Sequence, residues 1–151
     1  MKGISVIVCC YNSSTRLPKT IEHLALQNTA TFDWEVIFVD NASTDHTPEV
    51  IVKEWQRYNL HHVGFRLVSE QQAGQSYARQ KGIATALYDL IIFCDDDNWL
   101  SPDYVNHSYK LLSANKEIGA VGGQCIPTSD LGTFSRLVRK PQAALCSGQA
   151  S

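Results

Sequence analysis

The sequence has no apolar run long enough to cross a bilayer; its longest, from Ile4 to Cys10, is interrupted by a serine and is strand-sized. It has no C-x-x-C pair, and its cysteines (Cys9, Cys10, Cys94, Cys125 and Cys146) are odd in number. A disulfide framework is therefore not expected, and a zinc site would need ligands without the usual spacing. Cys9, Cys10 and Cys94 lie in apolar runs, where a free thiol behaves as a small hydrophobe. Neither sign of charge dominates: 13 Lys and Arg stand against 15 Asp and Glu, a net charge of −2. No global basic field draws this chain to nucleic acid or to an anionic membrane. A Walker A loop, a G-x-G-x-x-G fingerprint and a G-x-S-x-G elbow are all missing, and the histidines form no metal-like or triad-like pattern. Met1-Lys2-Gly3 runs straight into a strand pattern, which reads as no signal peptide. Together these absences point to a reducing, cytoplasmic setting, with any membrane contact peripheral at the inner face.

What is there is a globular composition, 44% hydrophobic and 19% charged over 151 residues, enough for one domain with a real core. Short β-branched runs alternate with segments of helical period. Ile4–Cys10, Glu35–Val39, Phe65–Val68 and Leu90–Cys94 read as strands, and Ala120–Gly123 as one more. Helices are expected from Leu17, from Thr47 as N-cap with Pro48 at the first helical position, over Gln75–Ala86, and from Ser101-Pro102-Asp103. Alternation of this kind, with strands apolar throughout, predicts an α/β fold: a mostly parallel sheet flanked by helices on both faces. In such sheets ligands bind beyond the carboxyl ends of the strands. Tyr11, Asp40, Glu70 and Asp95 to Asp97 each follow a strand and should share one rim.

The rim residues carry chemistry. Three carboxylates in a row, Asp95-Asp96-Asp97, follow a buried strand, and like charges so close repel unless water or a cation relieves them. A hard Mg²⁺ or Mn²⁺ takes one or two carboxylates and completes its shell with phosphate oxygens. Asp95 and Asp97 point to one side if strand geometry persists, leaving Asp96 free to meet a sugar hydroxyl. The plain alternative is a solvated strand end serving a turn. Asp40 opens a second polar cluster, Asp40-Asn41-Ala42-Ser43-Thr44-Asp45, which suits either an Asx turn or a carboxylate that accepts from a nucleobase N–H. Tyr11 could plug a strand end or stack on a base. Arg79 could face solvent or offer its fork of donors to a diphosphate.

Taken in order, Ser5 to Asn12, Glu35 to Asp45, Ala73-Gly74 through Ala78-Arg79, and Phe93 to Asp97 resemble the family 2 glycosyltransferases, which have the GT-A fold. Each motif is weak alone, and the set matches over about the first 125 residues. The resemblance implies an inverting transferase that takes a nucleoside diphosphate sugar, UDP by family habit, and uses Mn²⁺ or Mg²⁺. By position, Tyr11 and Asn12 belong to the base-binding element and Asp40 and Asn41 to the second. Asp95-Asp96-Asp97 looks like the DxD element, with Asp97 and Asp95 on the metal and Asp95 or Asp96 near the ribose or sugar. Arg79 matches the basic residue of an A-R-N-x-G segment whose Asn is Gln80 here.

Residues 1–125 then read as the donor-binding part and 126–151 as the incomplete start of an acceptor-binding half. No catalytic base is identified: the family's base lies well downstream of the DxD element, which places it beyond Ser151. Asp130 fits a loop residue better, and the Q-x-x-R-W signature is absent. On this reading the chain is the nucleotide-binding part of a longer enzyme acting on a carbohydrate or lipid-linked acceptor, with cell-envelope polysaccharide as the expected product. Phe134, Leu137 and Val138 suit the inner face of a helix, whose missing partner would leave an apolar face favouring homo-oligomers. The competing class is a non-catalytic nucleotide-sugar-binding or interaction module. A receiver-like domain needs an acidic pair where Tyr11-Asn12 stands, and a nucleotidyltransferase needs glycines that Asn12–Arg16 lacks.

Overall fold

Val, Ile and Phe dominate the four runs that become strands, and the two that are buried on both faces, Ile4–Cys10 and Glu35–Val39, are the most continuously apolar. A computed structural model describes residues 2–29, 32–124 and 126. Its strands are β1 (Gly3–Cys10), β2 (Asp33–Asp40), β3 (Gly64–Ser69) and β4 (Leu90–Asp95). They form one parallel sheet in the order β3-β2-β1-β4. The helices are α1 (Leu17–Ala25), α2 (Thr47–Arg57), α3 (Gln75–Thr85) and α4 (Tyr104–Ala114).

The two faces of the sheet are covered differently. One face carries the larger core, in which Leu17, Ile21 and Leu24 of α1 and Ile51 and Trp55 of α2 pack on Val6, Val8, Val36 and Phe38. The other packs α3 through Ala78 on Ile7, Ile37 and Val39. There α3 approaches β1 so closely that a Cβ at Gly82 would lie 2.4 Å from Ile7 Cγ2, which accounts for a glycine in mid-helix despite its conformational cost. One compact unit ends at Tyr109 and a second begins at Lys110. In the second, α4 finishes and a turn closes with the Ile118 amide donating to the Asn115 carbonyl.

Two expectations about elements need correction. Thr47 is the first residue of α2 rather than its cap. Asp45 takes the capping role from two residues upstream, its Oδ1 accepting from the Thr47 amide at 3.0 Å. Ala120–Gly123 forms no strand, in keeping with two glycines that bring no side chain to pack. Several expectations fall outside the described residues. These are the helix around Phe134, Leu137 and Val138, the loop residue Asp130, and the chain end at Ser151, beyond which the catalytic base is expected.

Candidate functional site

The strand order reverses at β1, whose neighbours are β2 and β4, and the residues beyond these carboxyl ends frame an open cleft of about 480 Å³. Its lining includes Cys9 and Cys10 at the end of β1 and Tyr11 just after it, Asn41 after β2, Gly74 and Gln75 at the start of α3, and Asp95 at the end of β4 with Asp96 and Asp97 following. The Tyr11 ring is 57% exposed, so it stands in the cleft instead of packing in the core.

Strand alternation does not persist through the three aspartates. Asp95 ends β4, and Asp96 and Asp97 occupy a turn closed by the Asn98 amide donating to the Asp95 carbonyl at 3.1 Å. Each carboxylate meets a different environment. Asp96 accepts from Arg16 Nη2 at 2.8 Å and from the Ser13 hydroxyl, while Thr20 Oγ1 donates to its backbone carbonyl at 2.8 Å. That hydrogen bond, with the attendant charge, pushes the Arg16 guanidinium above its ordinary pKa. Asp95 lies 3.8 Å from Arg79 Nη2, a loose and half-exposed pair, and the guanidinium sits 5.3 Å from the centroid of Phe93. Asp97 has no hydrogen bond or ion pair among the described residues. One of the three carboxylates thus has a close arginine partner and a second a distant one.

Among the described residues no group of three His, Cys, Asp or Glu side chains is arranged to hold a metal. A Mg²⁺ or Mn²⁺ that takes one or two carboxylates and fills its shell with phosphate oxygens and water requires no such group. The exposed side chains of Asp95 and Asp97, both in the cleft lining, fit that donor set.

The loops of the rim are tied to one another. Asn12, in the left-handed region at φ 48°, donates its amide to Ser43 Oγ and accepts at Oδ1 from the Thr44 amide at 2.8 Å. The Ser13 amide donates to Thr47 Oγ1 and the Ser14 amide to Asp45 Oδ2. Asn41 gives its side-chain amide to the carbonyls of Glu70 and Gln72 and accepts at Oδ1 from the Gly74 amide at 2.8 Å. Both asparagines therefore spend their side-chain oxygens on the scaffold. Gly74 itself has φ 139°, a conformation that a side chain would strain.

Asp40 is different. It is 8% exposed, pairs in register with the cleft-lining Cys10 without itself lining the cleft, and has a fully buried Oδ1 with no hydrogen-bond donor among the described residues. Such an oxygen is costly and calls for a partner. The thiols nearby stay protonated at neutral pH: burial pushes Cys9 up to about 11, Cys94 up to about 12, and Cys10 upward as well.

The hydrogen bond from Thr47 holds the Asp45 carboxyl down at about 2. A depressed carboxyl stabilises the fold above its unfolded pKa, and that contribution is lost as the pH falls through the folded one. We expect the clamp between the β1–α1 and β2–α2 loops to hold at pH 4 and to release toward about pH 2. Carbon-detected NMR titration of the Asp45 carboxyl checks this, and a midpoint near 4 would contradict it.

Arg16 is the residue that sequence reasoning missed. Its one available signal was position: a cation five residues beyond Tyr11, on the same loop, just before α1.

Known proteins share the fold and the sequence pattern of this chain. The profile described as glycosyl transferase family 2 matches residues 5–142. The glycosyltransferase GlyA of Streptococcus pneumoniae serotype 4 is 31% identical over 119 residues, covering 79% of this chain and 16% of GlyA. Among solved structures, Staphylococcus aureus TarS 1-349 in complex with UDP aligns over 85% of this chain and 39% of its own, with TM-score 0.66 and 23% identity. The mannosyltransferase PcManGT from Pyrobaculum calidifontis, in complex with GDP-Man and Mn²⁺, aligns over 78% of this chain and 34% of its own, with TM-score 0.65 and 27% identity. The chain spans between 16% and 44% of the length of the first curated relatives it matches.

Proposed function

This chain belongs to glycosyl transferase family 2, with the GT-A fold, and we propose that it holds the donor site of an inverting, metal-dependent transferase. The donor is a nucleoside diphosphate sugar, UDP-linked, and the acceptor is a hydroxyl of a carbohydrate or lipid-linked molecule. The observation that carries this reading is the unpartnered Oδ1 of Asp40, buried beside Cys10, one residue from the exposed Tyr11 ring. Uracil offers a ring N–H to such an oxygen and a flat face to the tyrosine.

Cleaving the sugar–phosphate bond builds negative charge on the departing diphosphate. A divalent cation, when bound, neutralises charge there, and Asp97 and Asp95 are the residues that would hold it. Arg79 offers donors toward the same phosphates. Tyr11 and Asp40 fix the base, and the mutually tied loops hold these groups in place before the donor arrives, which favours positioning over rearrangement.

Calorimetric titration of UDP, first with Mn²⁺ and then with EDTA, tests the reading. Metal-dependent binding supports it, whereas no binding of UDP, GDP or dTDP in either condition removes it. Asp97→Asn is expected to abolish the metal-dependent part of UDP binding and leave thermal unfolding unchanged, because Asp97 makes no hydrogen bond or ion pair among the described residues. Undiminished metal dependence would take Asp97 out of the cation site.

A further inference from the structure

Arg16 touches both halves of the candidate donor site. Its Nη2 donates to Asp96 Oδ2 at 2.8 Å, to Ser13 Oγ at 3.2 Å and to the Tyr11 carbonyl at 3.4 Å. Ser13 closes the same knot: its hydroxyl reaches Asp96 and the Tyr11 carbonyl, and it accepts from the Tyr11 amide at 3.1 Å. One guanidinium therefore bridges the backbone of the aromatic platform and the middle carboxylate of the acidic turn. The Asp96 side chain is only 15% exposed, its oxygen Oδ2 already engaged, whereas Asp95 and Asp97 are exposed.

We propose that Arg16 is a positioning residue that withholds Asp96 from the cation, so that only Asp95 and Asp97 are offered to it, and that fixes the Tyr11 platform against the turn. The inference rests on the donor-site reading above. A carboxylate that already accepts from an arginine and a serine has fewer lone pairs to give a metal. A guanidinium at the rim also repels a dication directly. Arg16 thereby trades metal affinity in the empty protein for a turn of fixed shape when the nucleotide arrives. Full capture of a cation by three carboxylates would leave fewer coordination positions for phosphate oxygens.

The proposal makes Arg16→Met change two affinities in opposite directions, which a general loosening of the fold cannot do. Mn²⁺ alone, measured by EPR without nucleotide, should bind about tenfold tighter, the size of one lost repulsion at short range. UDP measured at saturating Mn²⁺ should bind about fivefold weaker, on the scale of one lost hydrogen bond at the platform. Arg16→Lys keeps the charge, so its Mn²⁺ affinity should stay near that of the unaltered protein. Equal or weaker Mn²⁺ binding in Arg16→Met overturns the proposal, as does unchanged UDP binding. Should the unaltered protein bind neither Mn²⁺ nor UDP, the donor-site reading fails by itself. The positioning role is then decided by hydrogen exchange at the Asn98 amide, which closes the turn. Faster exchange in Arg16→Met upholds it, and an unchanged rate overturns it.

Discussion

Asp40→Asn should make the protein more stable and a poorer binder. The buried Oδ1 of Asp40 has no donor among the described residues, so the empty protein bears the cost of desolvating it. Removing the formal charge is expected to raise stability by about 1 kcal/mol, since an amide is cheaper to bury than a carboxylate. On the proposed donor-site reading, the same change removes the charged acceptor for the nucleobase. Hydrogen bonds to charged groups contribute about 1.5–3 kcal/mol, so UDP affinity should fall by roughly 10- to 100-fold. Thermal denaturation without ligand and calorimetric titration with UDP read the two effects separately. If stability and affinity fell together, Asp40 would be a structural acid whose donor escaped notice, and the strongest argument for the base-binding role would go with it. The opposed signs are the usual mark of a group kept for function at some cost to the fold.

The second large effect lies away from the cleft. Glu35 of β2 is buried at 2% exposure and pairs in register with Ser5 of β1. Its Oε1 accepts from Ser5 Oγ at 2.7 Å and from the Leu87 amide at 2.6 Å, and its Oε2 lies 3.2 Å from Arg66 Nε. Arg66 in turn donates to the Thr85 carbonyl, and the Tyr88 amide donates to Ser5 Oγ. One carboxylate therefore anchors the connection from α3 to β4. Glu35→Ala leaves the buried Ser5 hydroxyl and the part-buried Leu87 amide without their acceptor and should cost about 2–4 kcal/mol, at about 1–3 kcal/mol for each such group, while the 42% exposed Arg66 stays solvated. Glu35→Gln keeps the shape and one acceptor oxygen and should cost about 1–2 kcal/mol. Urea denaturation followed by tryptophan fluorescence measures both. A loss under about 1 kcal/mol for the alanine variant would mean that water replaces the carboxylate there. UDP affinity of the folded fraction should not change, because Ser5 and Glu35 lie five residues before Cys10 and Asp40, the carboxyl ends of β1 and β2 beyond which the cleft opens.

Much of the architecture was legible in the residues. The four apolar runs became the four parallel strands with ends moved by a residue or two, and the helices fell where period and proline placed them. Strand ends were readable because apolar runs stop sharply at Tyr11, Asp40 and Asp95. Relations across the sheet were not. Arg16 and Asp96 are 80 residues apart, and their meeting depends on β1 lying beside β4 with Cys9 opposite Asp95, a pairing that no local pattern encodes. Asn12 and Asn41 show a second limit. An amide side chain at a strand end has the same chemistry whether it serves a ligand or a neighbouring loop, and here the oxygens of both go to neighbouring loops. Thr47 misled for a related reason: a Thr before Pro suits a cap, but an aspartate two residues earlier reaches the same amide with a charge.

The ties between loops also bear on how such a protein can change. The segment after β1 is fastened to the one after β2 through Asn12, Ser13 and Ser14, and the segment after β2 to the one before α3 through Asn41. None of these segments is an interchangeable part. Grafting the Asn12 loop from a relative would bring acceptors and donors cut to a different neighbour, and the amides of both loops would be left unmatched. An alteration of donor preference is therefore more easily reached by replacing the fastened loops as a set, or by changing only side chains, such as Tyr11 and Gln75, that line the cleft and take part in none of these fastenings.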